Sequence, residues 1–144
     1  MHKGTLAFII LGLFIVGCRR VDYVNVYLEN SSGNMSVITV STYINGIYYN
    51  TTKVQKNTSS INWASYRLPL PSDRDTVQVM LRIAENNCRT ACILLRNKLT
   101  NRSWVHVNYN ETTFKKGYEY YGRILTKDTI VEKSFYCEVT NSKR

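Results

Sequence analysis

From residue 23 onward the chain alternates. In "YVNVYLEN", residues 23–30, Val24, Val26 and Leu28 fall on one side of an extended backbone and Tyr23, Asn25 and Tyr27 on the other. Successive strand side chains point to opposite faces, so period 2 with β-branched and aromatic residues predicts a half-buried strand. The pattern returns in "MSVITVSTYI" and "IYYNTTKV", which flank Asn45-Gly46. Asn-Gly suits a type I′ turn, where both central residues take φ > 0, so these segments are expected to form a hairpin. In "SINWASYRLPL", Ala64, Tyr66, Leu68 and Leu70 oppose Ile61 and Trp63. Pro69 and Pro71 mark it as an edge or a strand end, since proline has no N–H for a ladder. Further on, Val77, Val79, Leu81 and Ile83 alternate with Gln78, Met80 and Arg82. "CRTACILLRNKL" fits a short helix or a strand. "WVHVNYN" sets Val105, Val107 and Tyr109 against Trp104, His106 and Asn108, and "TIVEKSFYCEV" puts Val131, Phe135, Cys137 and Val139 on one face. About eight short strands at this spacing predict an all-β fold, an antiparallel β-sandwich of immunoglobulin-like or transthyretin-like shape. It would occupy residues 23–139, with 140–144 frayed.

The first 22 residues follow another pattern. "MHKG" carries Lys3, and "TLAFIILGLFIVG" is apolar apart from Thr5 and its glycines. A bilayer span needs about 20 apolar residues, so this run is short for one. A charged start, an apolar middle and small residues at the end have the form of a signal peptide. The residues "IVGC" at the end of the apolar run (Ile15, Val16, Gly17, Cys18) resemble the lipobox of bacterial lipoproteins. There a thiol must be presented at the bilayer surface beside residues small enough to enter the peptidase. The resemblance covers the leader alone. It implies removal of residues 1–17, a diacylglyceryl group on the Cys18 thiol, fatty acylation (palmitate, for example) of the new amine, and a lipid-anchored tether over 18–22. The protein would then sit in the cell envelope, bound to its membrane through Cys18.

A rival reading places an ordinary secretory cut at Gly17 or Cys18. The chain holds six Asn-x-Ser/Thr sequons, at Asn30, Asn34, Asn50, Asn57, Asn101 and Asn110, where composition alone predicts roughly two or three. On this reading the protein is a secreted, N-glycosylated β-sandwich from a eukaryote or its virus, acting as a soluble ligand-binding or decoy protein. Cysteine parity leans slightly toward this rival. With Cys18 lipidated, Cys88, Cys92 and Cys137 remain, and one disulfide leaves one thiol over; without lipidation, four cysteines allow two bridges.

Beyond the leader, 18 Lys+Arg stand against 10 Asp+Glu. This favours anionic surfaces, glycans or a protein partner. The basic residues nevertheless form no run longer than two and no nucleic-acid module is recognisable, so nucleic acid is not an expected partner. Little points to catalysis. His106 is the one histidine after the leader, Glu111 is the acid closest to it in sequence, and no Gly-x-Ser-x-Gly elbow exists. A non-enzymatic role, without cofactor or metal, is the expectation. Cys88, Cys92, His106 and Cys137 supply the donor types of a Cys₃His zinc site, but lack its two close pairs. In an oxidising compartment a bridge from Cys137 to Cys88 or Cys92 is the better expectation. Asp73 and Asp75 lack the companion ligands of a calcium loop. Eleven tyrosines and two tryptophans remain. Tyr48, Tyr49, Trp63, Trp104, Tyr118, Tyr120 and Tyr121 are candidate ligand contacts, with adjacent tyrosines expected to give one core ring and one surface ring each.

Overall fold

The computed structural model describes residues 20–58 and 63–141; the leader, Cys18, Ile61, residues 142–144 and the side chain of Val131 lie outside the described residues. Ten strands form: β1 (Tyr23–Asn30), β2 (Val37–Ile44), β3 (Ile47–Gln55), β4 (Ala64–Pro69), β5 (Thr76–Ile83), β6 (Arg89–Leu95), β7 (Ser103–Phe114), β8 (Glu119–Tyr120), β9 (Arg123–Ile124) and β10 (Thr129–Asn141). Eight of them make two packed sheets, ordered β10-β7-β1-β4 (sheet A) and β3-β2-β5-β6 (sheet B). Pairing is antiparallel throughout except in the middle of sheet A, where β1 runs parallel to β7. The order differs from the ABED/CFG sheets of immunoglobulin domains. Here the second and third strands share a sheet and the first pairs with the fourth and seventh, so the fold is an all-β sandwich without the immunoglobulin strand order.

The alternation builds the core. Val24, Val26, Leu28, Leu68, Val105, Val107 and Tyr109 face inward from sheet A, and Ile38, Val40, Val54, Val77, Val79, Leu81, Ile83 and Leu94 from sheet B. Each such aliphatic contributes roughly 1.5–3 kcal/mol by leaving water. The Asn45-Gly46 hairpin forms with φ of 49° and 82°. Asn45 also accepts a bond from the Gln78 amide at 2.9 Å, which docks the turn on β5. "RTACILL" is strand, and a single 3-10 turn, Arg96–Lys98, follows it. β4 is an edge strand ending at Pro69, as its prolines predict. β10 continues through Thr140 and Asn141, past the expected fraying point, because Ser103 of β7 pairs with Asn141 in both backbone register and side chain.

Both open sides of the sandwich are fastened. On one, a disulfide joins Cys92 of edge strand β6 to Cys137 of edge strand β10, with Cα atoms 5.7 Å apart. The closed loop spans 45 residues, worth about 4 kcal/mol on the loop-entropy account. Cys88, the other candidate, is a free thiol. On the opposite side, the Tyr49 hydroxyl of β3 donates to the Arg67 carbonyl of β4 at 2.9 Å.

Strand directions assign the loops to two ends. One end, termed the tether end after the expected anchor segment, carries residues 20–22, the Asn45-Gly46 turn, the loop 70–75 and the 3-10 turn. The far end carries the loops after β1, β3 and β5 and the small β8–β9 hairpin. That hairpin turns at Tyr121-Gly122, both at positive φ (48° and 73°).

Candidate functional site

The inner face of sheet A is aliphatic, whereas its outer face is aromatic. β1 turns Tyr23, Tyr27 and Glu29 outward, β7 turns Trp104 and His106, β10 turns Tyr136, and Trp63 stands just before β4. Register brings them together, since Tyr27 lies opposite His106 in the parallel β1/β7 pair and opposite Ser65 in the β1/β4 pair. Tyr27 packs edge-on to Trp63 at 5.6 Å and to Trp104 at 6.3 Å between ring centroids. His106 lies 6.0 Å from Trp63 and 6.0 Å from Tyr136. Arg67 covers the Tyr23 ring at 4.4 Å, a cation–π contact. Trp63 and Tyr136 remain 44% and 42% exposed. An exposed sheet face is normally polar; this one carries a continuous band of rings over three strands.

A polar pair sits within the band. His106 Nε2 lies 3.2 Å from Glu29 Oε2, and the carboxylate also accepts from Asn57 Nδ2 at 3.0 Å and Ser31 Oγ at 3.2 Å. Partial burial pushes the Glu29 carboxyl upward, but the donors Asn57, His106 and Ser31 outweigh it and hold the group below its ordinary value. Glu29 is therefore a fully engaged anion that orients the imidazole. The hydroxyl of Ser31 bonds that carboxylate and not the imidazole, so the geometry lacks the hydroxyl-to-base contact of an activated nucleophile.

Glu111, the sequence neighbour of His106, belongs elsewhere. Odd residues of β7 point inward and even ones outward, which puts Glu111 on the core side with Tyr109. There the Tyr109 hydroxyl donates to Glu111 Oε2 at 2.5 Å, and Asn86 Nδ2 donates to the same hydroxyl at 2.5 Å. Lys133 Nζ lies 3.4 Å from the carboxylate. The bond from Tyr109 holds the Glu111 carboxyl below its ordinary pKa against the effect of burial, while burial and the adjacent carboxylate drive the pKa of the Tyr109 phenol far upward. This is a satisfied core network.

The candidate aromatics separate into three places. Trp63 and Trp104 join the sheet A face. Tyr48 and Tyr49 lie at the tether end, both exposed, at 58% and 38%. The expected split into core and surface rings fails for this pair because it follows the hairpin turn on an edge strand, past the reach of the core. Tyr118, Tyr120 and Tyr121 lie on the β8–β9 hairpin outside the sandwich. Tyr118 stacks on Phe114 at 4.2 Å, Tyr120 packs on Tyr121 at 4.5 Å, and Tyr121 is 89% exposed. Neither ring of that pair reaches the core.

The donors of the zinc alternative are taken apart, since Cys92 and Cys137 are bonded to each other and His106 faces outward from the opposite side of sheet A. Among the described residues no group of three or more His, Cys, Asp or Glu is arranged to hold a metal. Asp73 and Asp75 occupy the exposed loop between β4 and β5, with Arg74 3.9 Å from Asp73. Of the sequons, Asn30 is fully buried, and its Nδ2, the atom a glycan would take, donates to the Met35 and Val54 carbonyls at 3.0 and 3.5 Å. A glycan at Asn30 is incompatible with this packing. Asn34 Nδ2 bonds Thr113 at 2.7 Å and Asn57 Nδ2 bonds Glu29; Asn50 and Asn110 are half-buried and Asn101 is exposed.

The sequence pattern alone left out Tyr23, Tyr27, Glu29 and Tyr136. Their parity on predicted strands was readable, but membership in one face depends on β1, β7 and β10 being neighbours. Comparison of the chain with family models, with characterised proteins and with solved structures finds no match.

Proposed function

We propose that this chain is an exported, non-enzymatic binding protein, held at the membrane by lipid on Cys18, which uses the outer face of sheet A to take a protein partner. The observation that carries the binding role is the band of Tyr27, Trp63, Trp104, His106 and Tyr136 on a sheet face that no other strand among the described residues covers. Tyr, Trp and Arg are the residues that dominate protein–protein interfaces, because they bury large rigid surfaces at low entropic cost. The band is a surface and not a cleft, which suits a macromolecule better than a small substrate. The engaged Glu29 and the hydroxyl of Ser31 bonded to it support a binding role over hydrolytic chemistry. The lipobox resemblance supports the anchor.

The secreted, glycosylated reading keeps the exposed sequons at Asn34 and Asn101. The burial of Asn30 weighs against it. The partner face is tested by placing a photo-crosslinking amino acid at Trp63, with Gln78 on the outer face of sheet B as the control, in cells that carry the protein. A discrete protein adduct from the Trp63 position alone is expected. Equal adducts from both positions, or none from Trp63, would refute the assignment.

A further inference from the structure

We infer that the tether end of the sandwich lies directly on the anionic surface of the membrane that holds the anchor. The inference rests on the proposed lipidation of Cys18. Its geometric basis is Arg96. This side chain is buried at the tether end, and its guanidinium donates to the carbonyls of Val21, Pro71 and Arg74. The chain is thus fastened at Val21, and Leu70 N bonds the Asp22 carbonyl at 2.9 Å immediately after it. Three residue steps separate Cys18 from Val21, a reach of at most about 11 Å. A domain clamped this close to its lipid has little freedom except to present the end from which the tether leaves.

That end is built for such a surface. Ile47 is 74% exposed and Tyr48 58%. They rim a groove of about 450 Å³ whose walls include Ile44, Leu70 and Pro71, with Arg74 at its edge. Aliphatic and tyrosine side chains of this kind settle at the headgroup level of a bilayer. Arg20, Arg74, Lys98 and Arg102 are exposed here against Asp22, Asp73 and Asp75, an excess of one positive charge, of the sign an anionic leaflet attracts. The β8–β9 hairpin also carries basic and aromatic residues. It lies at the other end of the 12-residue strand β7, about 40 Å away, so it is held outward and away from the lipid. With the strands upright on the membrane, the aromatic face of sheet A looks sideways, open to a partner in or beside the same membrane.

The test is lysine acetylation of the native protein, with a membrane-impermeant reagent, on intact host membranes and again after release into detergent. The N-terminal peptide is weighed in the same samples. Lys98 should react several-fold more slowly on membranes than in detergent, while Lys53, Lys116 and Lys127 react alike in both. Lipid on the N-terminal peptide with equal Lys98 reactivity in the two states, or with Lys53 protected instead, would overturn the orientation and leave the anchor standing. An N-terminal peptide without lipid would overturn both. A double variant, Ile47→Asp with Tyr48→Asp, should restore Lys98 reactivity on membranes while retaining the lipid. Unchanged protection in that variant would overturn the contact made by these side chains.

Discussion

Arg96→Met tests the clamp on which both the tether geometry and the orientation depend. Methionine fills a similar volume and removes the guanidinium. The lost bonds run to three backbone carbonyls, Val21, Pro71 and Arg74, and among the described residues no carboxylate pairs with Arg96. A hydrogen bond from a charged donor is worth about 1.5–3 kcal/mol. Water can reach part of this end of the sandwich, so about 1 kcal/mol per carbonyl is the reasonable loss, or about 3 kcal/mol in all. For a domain of this length that is about 10 °C in Tm. Urea unfolding of the disulfide-intact protein would show a lower midpoint at unchanged slope, since the surface exposed on unfolding is nearly the same. Arg96→Lys should recover only a minority of the loss, because one ammonium does not replace a planar fork that serves three diverging acceptors. Lys98→Met, at an exposed neighbour, should fall within about 0.5 kcal/mol of wild type. The opposing effect is the desolvation of an unpaired cation. A Met variant as stable as wild type, or more stable, would mean that this cost outweighs the bonds, and the clamp argument would fail.

Other consequences can be checked in the same way. Replacing both Cys92 and Cys137 with serine should cost about 4 kcal/mol by denaturant titration, a loss that reduction of the wild type should reproduce. Glu111 has its pKa held below the ordinary 4.5, so its contribution to stability is fully present above pH 4.5 and is lost as the pH falls through the lower folded value. Glu111→Gln should therefore flatten the acid limb of the stability–pH curve, and an unchanged limb would contradict the network. Asn30→Ala deletes the two bonds to the Met35 and Val54 carbonyls and the acceptor for the Ser32 amide, at a cost of about 2–3 kcal/mol. Folded protein from a glycosylating host should also carry no sugar at Asn30 by peptide mapping. Trp63→Ala should leave Tm within a few degrees, since the ring is half-exposed, yet abolish crosslinking to the partner from a photo-crosslinking amino acid placed at Tyr136 on the same face.

Local physics wrote much of this fold into the sequence. The inward valines of β1, β5 and β7 follow from period 2, and the Asn45-Gly46 turn from the need for two positive φ angles. What the pattern could not supply is who neighbours whom. Nothing in the spacing of residues 23–30 and 103–114 announces a parallel pair, and that pairing is what carries Glu29 to His106 across 77 positions. The same gap concealed the site, because Tyr27 and Tyr136 join Trp63 and Trp104 only once β1, β7 and β10 are aligned. Cys88 and Cys92 were equivalent on paper, both four-spaced and of one parity. They differ because Cys92 lies within β6, facing the core beside the edge of sheet A, whereas Cys88 precedes the strand. Tyr48 and Tyr49 mislead for a related reason, since alternation sorts side chains between faces but does not say where the core ends.

The most direct measurement is the intact mass of the N-terminal peptide of the mature protein from its native host. The account predicts a peptide beginning at Cys18 and carrying a diacylglyceryl group, with or without a further acyl chain on its amine. An unmodified N-terminus, together with hexose-bearing mass at Asn101, would contradict it and move the protein from the envelope to the fluid outside a cell.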